Sequence, residues 1–266
     1  MATERRLAFA EIAELYDQAR PSYPPALIDD VLRFAGAGPG TAAVEVGAGT
    51  GKATVLFAER GLRILALEPS AEMAAIARRN TARFPEVLVR EEEYERWTPP
   101  EPVRLLYSAQ AWHWIQPQIR FTRAAQALTE DGLLAAFWNR IRWEVSPLAG
   151  ELDEVYRRLA PELEERIGQG PMHPAGARDH DRTGDWQGDL NGATGFTEPD
   201  WHTYSWVARY TTSEYLSLLR THSDHIVLDP ARREGLLEGV GMVIDDAGGS
   251  LELEYVTRLG LARPVP

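Results

Sequence analysis

The run Val44-Glu45-Val46-Gly47-Ala48-Gly49-Thr50-Gly51-Lys52-Ala53-Thr54 closes a short apolar stretch with glycine at every second position. Glycines in such a turn let the backbone approach a ligand without a side chain in the way, and let the following helix start hard against the strand. A nucleotide-like ligand is the natural occupant. Two glycine-loop chemistries fail on spacing. A dinucleotide fingerprint needs its last glycine where Lys52 stands. A phosphate loop needs glycine six residues before the lysine and Ser or Thr directly after it, and those positions hold Val46 and Ala53. The apolar segment Arg63-Ile64-Leu65-Ala66-Leu67 then ends at Glu68, about twenty residues beyond the loop. An ionised carboxylate offers two acceptor oxygens, which suits the paired hydroxyls of a ribose. Loop and Glu68 together point to an adenosine. Pro69-Ser70 follows, with Ser70 placed to cap a helix.

A second group of residues could work on whatever the adenosine carries. Ser108-Ala109-Gln110-Ala111-Trp112-His113-Trp114 follows a further apolar run. The His113 imidazole titrates near neutrality, and a positioned base contributes about 10²–10⁴-fold. The competing reading is a histidine hydrogen-bonded structurally between two aromatics. Trp112 and Trp114 would shape a cavity or pack beneath it. Glu91-Glu92-Glu93-Tyr94-Glu95 is either a solvated loop or the place where Glu93 and Tyr94 meet an adenine. His222 and His225 could share one helix side, but no carboxylate-rich partner set accompanies that spacing, so no metal is expected.

Positioning these residues requires an alternating chain. Leu7, Ile12, Leu15, Tyr16 and Ala19 predict a helix over residues 5–19, ended by the Pro-rich Arg20–Pro25 stretch. Helices are then expected at 26–34, 51–60, 71–80 and 117–129, and strands at 42–46, 63–68, 86–90, 103–108 and 131–138. That alternation predicts an α/β, mainly parallel sheet with helices on both faces. After Arg140 it lapses. Leu152, Val155, Tyr156, Leu159 and Leu163 predict an amphipathic helix kinked or split at Pro161. Residues 168–195 read as a long surface loop, 201–210 and 251–261 as strands, and 212–221 and 230–247 as helices.

The chain has 266 residues, 40 acidic against 28 basic side chains, a formal charge of −12 and no cysteine. One large domain is expected, divided into an amino-terminal helical lid (1–40), a cofactor-binding core (41–140), a cap helix and loop (141–200) and carboxyl-terminal strands and helices completing the sheet (201–266). Disulfides and thiolate chemistry are excluded. The negative field disfavours nucleic acid. No apolar run approaches bilayer length and no secretory leader is evident, so the expectation is a cytoplasmic protein without membrane contact.

An acidic residue, a spacer and glycines at every second position resemble the first motif of class I S-adenosylmethionine-dependent methyltransferases. Together with Tyr16-Asp17, Arg20-Pro21-Ser22-Tyr23-Pro24, Leu67-Glu68-Pro69-Ser70, Ser108–Trp114 and the later Trp206, Tyr215, Arg220-Thr221, Ser223-Asp224-His225 and Tyr255, the chain resembles the trans-aconitate-methyltransferase-like branch of that group. The resemblance implies a Rossmann-like, seven-stranded, mostly parallel sheet with its last strand antiparallel. It implies S-adenosylmethionine as cofactor and a small-molecule acceptor, methylated on oxygen, nitrogen or carboxylate, with use of the cofactor without methyl transfer as the alternative. Gly47, Ala48, Gly49 and Gly51 would line the methionine and ribose portion. Glu45 would orient that loop or meet the ligand's ammonium, and Glu68 and Pro69 would sit at the ribose. Glu93 and Tyr94 would reach the adenine, with Ser108, Ala109 and Gln110 as further cofactor neighbours. Tyr16 and Arg20 would form a lid, the guanidinium reaching a carboxylate. Trp112, Trp114 and His222 are expected on the acceptor side. His222 stands where relatives often carry tyrosine.

Overall fold

The computed structural model describes residues 13–161, 163, 190 and 193–265. Residues 5–12 of the expected first helix and most of the expected 168–195 loop lie outside that set. The chain divides into two compact units. One is built from Ser22–Asn139, Trp186–Tyr204 and Thr257–Pro266, the other from Met1–Pro21, Arg140–Asp185 and Ser205–Val256.

In the first unit, α2 (Pro25–Ala35) precedes the alternation β1 (Ala42–Val46), α3 (Lys52–Ala58), β2 (Arg63–Glu68), α4 (Ala71–Thr81), β3 (Val87–Glu91), β4 (Val103–Ala109), α5 (Pro117–Ala127) and β5 (Leu128–Ile141). The strands pair parallel, β1 with β2 and β4, β2 with β3, and β4 with β5. With β6 (Asp200–Thr211) and β7 (Ser250–Ala262) they make a seven-stranded sheet in the order β3-β2-β1-β4-β5-β7-β6. Asn139 bonds Thr257 while Asp131 and Gly132 accept from Arg263, so β7 recedes as β5 advances. The last strand is therefore antiparallel to its neighbour, as the family resemblance implies.

Parallel strands covered on both faces must be apolar on both, and side chains alternate between faces. Ala43, Leu105 and Leu133 enter one core cluster with Phe57, Leu27 and Ile28. Val44, Leu106 and Leu134 enter another with Trp112 and Trp138. The order reverses between β1 and β4, and the crevice outside the carboxyl ends of strands at such a point is where open α/β sheets hold ligands.

The second unit has its own core of Trp143, Leu152, Tyr215, Leu236, Val240 and Tyr255 among others. Its helices are α1 (Ala13–Ala19), α6 (Ala149–Leu159), α7 (Thr212–Arg220), the four-residue α8 (Ser223–Ile226) and α9 (Pro230–Asp246). Helix α9 packs against α6 and α7, and α7 against α1. The expected interruption at Pro161 takes the form of a split: α6 stops at Leu159, Ala160 is non-helical and Pro161 is helical again, consistent with the bias of a pre-proline residue away from helix. No helix among the described residues is long and apolar enough to cross a membrane.

Candidate active site at the carboxyl ends of β1, β2 and β4

The glycine loop leaves β1 and enters α3. Gly47, Gly49 and Gly51 have φ values of 70°, 57° and 85°, a region costly to side-chain-bearing residues. The amides of Gly47 and Ala48 both donate to the Leu67 carbonyl, at 2.9 and 3.0 Å, tying the loop to the end of β2. Each glycine has its own reason. A Cβ on Gly47 would overlap the Ala111 side chain, one on Gly51 would lie 3.3 Å from the Ala77 backbone in α4, and one on Gly49 would meet nothing within 4 Å. Gly49 thus faces open space.

Glu68 closes the loop from the side. Its Oε2 accepts from the Gly49 amide at 2.7 Å and its Oε1 from the Ser70 amide at 2.9 Å. A carboxylate oxygen carries two lone pairs, so accepting one amide does not by itself exhaust it. The side chain therefore shapes the loop. Pro69 forms the bend between Glu68 and the cap residue Ser70, whose Oγ accepts from the Met73 amide at 3.3 Å.

Glu45 lies beneath, only 1% exposed. Thr54 donates to its Oε2 at 2.5 Å and the Tyr107 phenol at 3.0 Å, while Oε1 has no partner among the described residues. Burial pushes the Glu45 carboxyl up to about 8; the two donations oppose this and the Glu68 charge adds to it. The Tyr107 phenol is also raised well above its ordinary value, first by burial and then by Glu45. Thr54 and Tyr107 are partners of Glu45 that the motif reading did not pick out. For Tyr107 a signal existed, since it is the β4 residue in register with Glu45.

Beyond β4, the Ser108 hydroxyl donates to the Val46 carbonyl at 2.8 Å and is fully buried, which makes it a strut between β1 and β4. Ala109 ends the strand. Gln110 takes a φ of 60°, the one positive value among the described non-glycine residues. Its amide donates to Phe137 O at 2.9 Å and its side chain to Asn139 O at 3.3 Å, which fixes that turn. Trp112 is buried and packs on Tyr94 and Phe121, so it lies beneath the crevice. Trp114 is 52% exposed. Trp138 Nε1 donates to His113 Nδ1 at 3.3 Å. An indole nitrogen only donates, so Nδ1 accepts and the neutral ring carries its hydrogen on Nε2. In that tautomer neither ring nitrogen is left as a base.

Past β3, Tyr94 is only 3% exposed, with its hydroxyl donating to Arg120 O at 3.3 Å. Its ring belongs to the core, so any contact with an adenine would use backbone. Glu93 pairs with Arg96 at 3.1 Å on the surface. The remaining expected residues belong to the second unit. Arg20 holds Thr221 with two bonds, Nε to Oγ1 at 2.8 Å and Nη2 to the carbonyl at 2.9 Å, and stacks 5.0 Å over the Tyr16 ring. His222 is partly buried beside His225, and burial followed by the Arg20 charge holds its imidazole well below the ordinary range.

A Rossmann-like sheet with a glycine loop after β1 and a carboxylate ending β2 at its switch point is the architecture of class I methyltransferases. Comparison with known proteins agrees. Residues 43–132 match the family model described as a methyltransferase domain. An uncharacterized methyltransferase of Mycobacterium tuberculosis is 32% identical over 165 residues, covering 60% of this chain and 63% of that protein. A probable S-adenosylmethionine-dependent methyltransferase of Saccharomyces cerevisiae is 30% identical over 150 residues, covering 53% of this chain and 50% of its own length. The chain thus spans less than two thirds of these curated relatives. A solved structure of a candidate type II methyltransferase from Anaeromyxobacter dehalogenans superposes with a TM-score of 0.64 at 23% identity, covering 93% of this chain and 99% of the other.

Proposed function

We propose that this protein transfers a methyl group from S-adenosylmethionine to a small-molecule acceptor, as an enzyme of the trans-aconitate-methyltransferase-like kind. The observation that carries the reading is the Gly49 amide bonded to Glu68 Oε2 across the open face of the glycine loop. That bond holds a backbone cradle and a ribose-type acceptor in one place, within a span that matches a methyltransferase domain. Gly47, Ala48, Gly49 and Gly51 would hold the cofactor's methionine end, Glu68 the ribose hydroxyls, and the Glu93–Tyr94 segment the adenine edge. Bound there, the cofactor would supply an electrophilic methyl on its sulfonium.

What remains for this chain is to orient the acceptor and exclude water, and positioning alone supplies up to roughly 7–11 kcal/mol. Ser108 and Gln110 fix the turn that precedes His113 and Trp114, and in this reading both residues serve the acceptor. Trp114 offers an exposed aromatic face for the acceptor.

The test is direct. Calorimetry with S-adenosylmethionine should show one site per chain, and incubation with panels of small carboxylic acids, phenols and amines should release S-adenosylhomocysteine with gain of one methyl on one class. No cofactor binding would overturn the reading. Binding together with modification of a substrate that keeps the cofactor's methyl in place would assign the cofactor another role.

A further inference from the structure

The chain leaving α7 carries a cluster that methyl transfer does not use. His222, Asp224 and His225 each present one ligand atom, and these lie within 4.8 Å of one another, the one such group found among the described residues. We propose that His222, Asp224 and His225 form a binding site for a divalent transition-metal ion of the zinc type. The inference stands apart from the methyl-transfer reading, because metal binding is read out on its own.

The chemistry of the set fits. Two imidazoles and one carboxylate are a recurrent zinc ligand set, leaving a fourth position for water or a substrate oxygen. Asp224 Oδ1 lies 2.8 Å from His225 Nδ1 and also accepts from the His225 backbone amide at 2.8 Å, which leaves Oδ2 and the remaining lone pair of Oδ1 for an ion. Ligands at about 2.0–2.2 Å from one tetrahedral ion sit about 3.3–3.6 Å apart, so the carboxylate and the ring must separate by roughly half an ångström or more and turn toward the ion to exchange their hydrogen bond for two coordination bonds. Metal-bound histidines characteristically donate their other ring N–H to an oxygen. Here His225 Nε2 lies 2.8 Å from the buried Tyr156 hydroxyl. With an ion on Nδ1, the ring proton resides on Nε2 and Tyr156 accepts it.

Two observations set this cluster apart from an ordinary buried histidine pair. The Asp224 side chain is 19% exposed, and its only ion pair among the described residues is with His225. No arginine or lysine there balances it. His222 stands edge-on to His225 at 5.6 Å, and its ring nitrogens have no hydrogen-bond partner among the described residues. Arg20 is the opposing charge nearby, but its guanidinium is fixed onto Thr221. The spacing of the two histidines alone gave no metal site. Asp224, between them, supplies the missing carboxylate.

Tag-free full-length protein, stripped of metal, should be titrated with Zn²⁺ in competition with a chromophoric chelator and with Co²⁺ by visible absorption. One ion per chain is expected, with Kd roughly micromolar or tighter. His222→Ala and Asp224→Asn should each weaken binding by about tenfold or more, and Tyr156→Phe by about 10–100-fold, as for other outer-shell partners. Metal-free circular dichroism and melting should be unchanged in His222→Ala, whose site is partly exposed; that variant decides the matter alone if the others fail to fold. Absence of saturable binding, or an affinity unaffected by His222→Ala, overturns the site.

Discussion

Gly47 and Gly49 share the same sign of φ and have opposite surroundings, so substitution separates the loop's two tasks. Gly47→Ala meets the Ala111 side chain as well as the left-handed penalty, whereas Gly49→Ala meets the penalty alone. The first should lower unfolding free energy by roughly 2–4 kcal/mol and the second by about 1–2. Gly49→Ala should nevertheless weaken S-adenosylmethionine binding more than tenfold, since its methyl enters the space left for ligand; urea titrations and calorimetry measure both, and wild-type affinity in Gly49→Ala would refute the cradle. Glu45 gives a pH test. Its carboxyl ionises near 4.5 when unfolded and near 8 when folded. Between those values the folded state holds the extra proton, so this group's contribution falls as pH rises through that window. Glu45→Gln imitates the neutral acid, and its stability should be flatter from pH 5 to 8 than the parent's; parallel profiles would sink the assignment. His113 is tested by His113→Gln, which preserves a donor. A rate loss under about tenfold is expected, against the 10²–10⁴ of a missing base. The acidic motif residue and Glu68 were legible from spacing alone. The Trp138 partner that decides the His113 tautomer was not, because it lies 25 residues away on β5.

At the scale of elements, what could be read was what repeats. Strands 42–46 and 63–68 have the observed bounds because each is a short apolar run closed by glycine or proline chemistry. Strand β5 was expected from 131 and begins at Leu128, directly after α5. Glu130-Asp131-Gly132 looks like a turn, yet the chain stays extended through it, and the β4–β5 register shifts between Val103 and Leu105. Only the sheet, through pairing with β4, overrides that local signal. Helix α8 is too short for any periodicity to appear, so the sequence could set His222 and His225 on one side without placing the Asp224 carboxylate beside them. Helix α4 offers an element-level test. Its N-cap side chain, Ser70 Oγ, serves the helix, while the Ser70 backbone amide serves Glu68. Ser70→Ala should therefore cost about 1 kcal/mol of stability and leave cofactor affinity within about twofold of the parent. A large loss of affinity would mean that α4 placement, and not the Glu68 bond alone, holds the loop.

At the scale of the molecule, the dominant property is charge. A formal value of −12 creates a field that repels polyanions and attracts cations. S-adenosylmethionine carries a sulfonium and an ammonium against one carboxylate, so it is a net monocation, whereas S-adenosylhomocysteine lacks the sulfonium and is neutral overall. The two ligands share every hydrogen-bonding group that the loop and Glu68 would engage. Their difference in salt response therefore isolates the field from the contacts. Screening shortens the reach of surface charge from about 14 Å near 0.05 M to about 4 Å near 0.5 M, with local contacts much less affected. Raising salt across that range should weaken S-adenosylmethionine binding several-fold and S-adenosylhomocysteine binding little, an outcome calorimetry reads directly. Equal salt slopes would show that surface charge makes no contribution at the crevice, leaving the paired carboxylate of Glu68 as the group that sets preference between the charged and neutral forms.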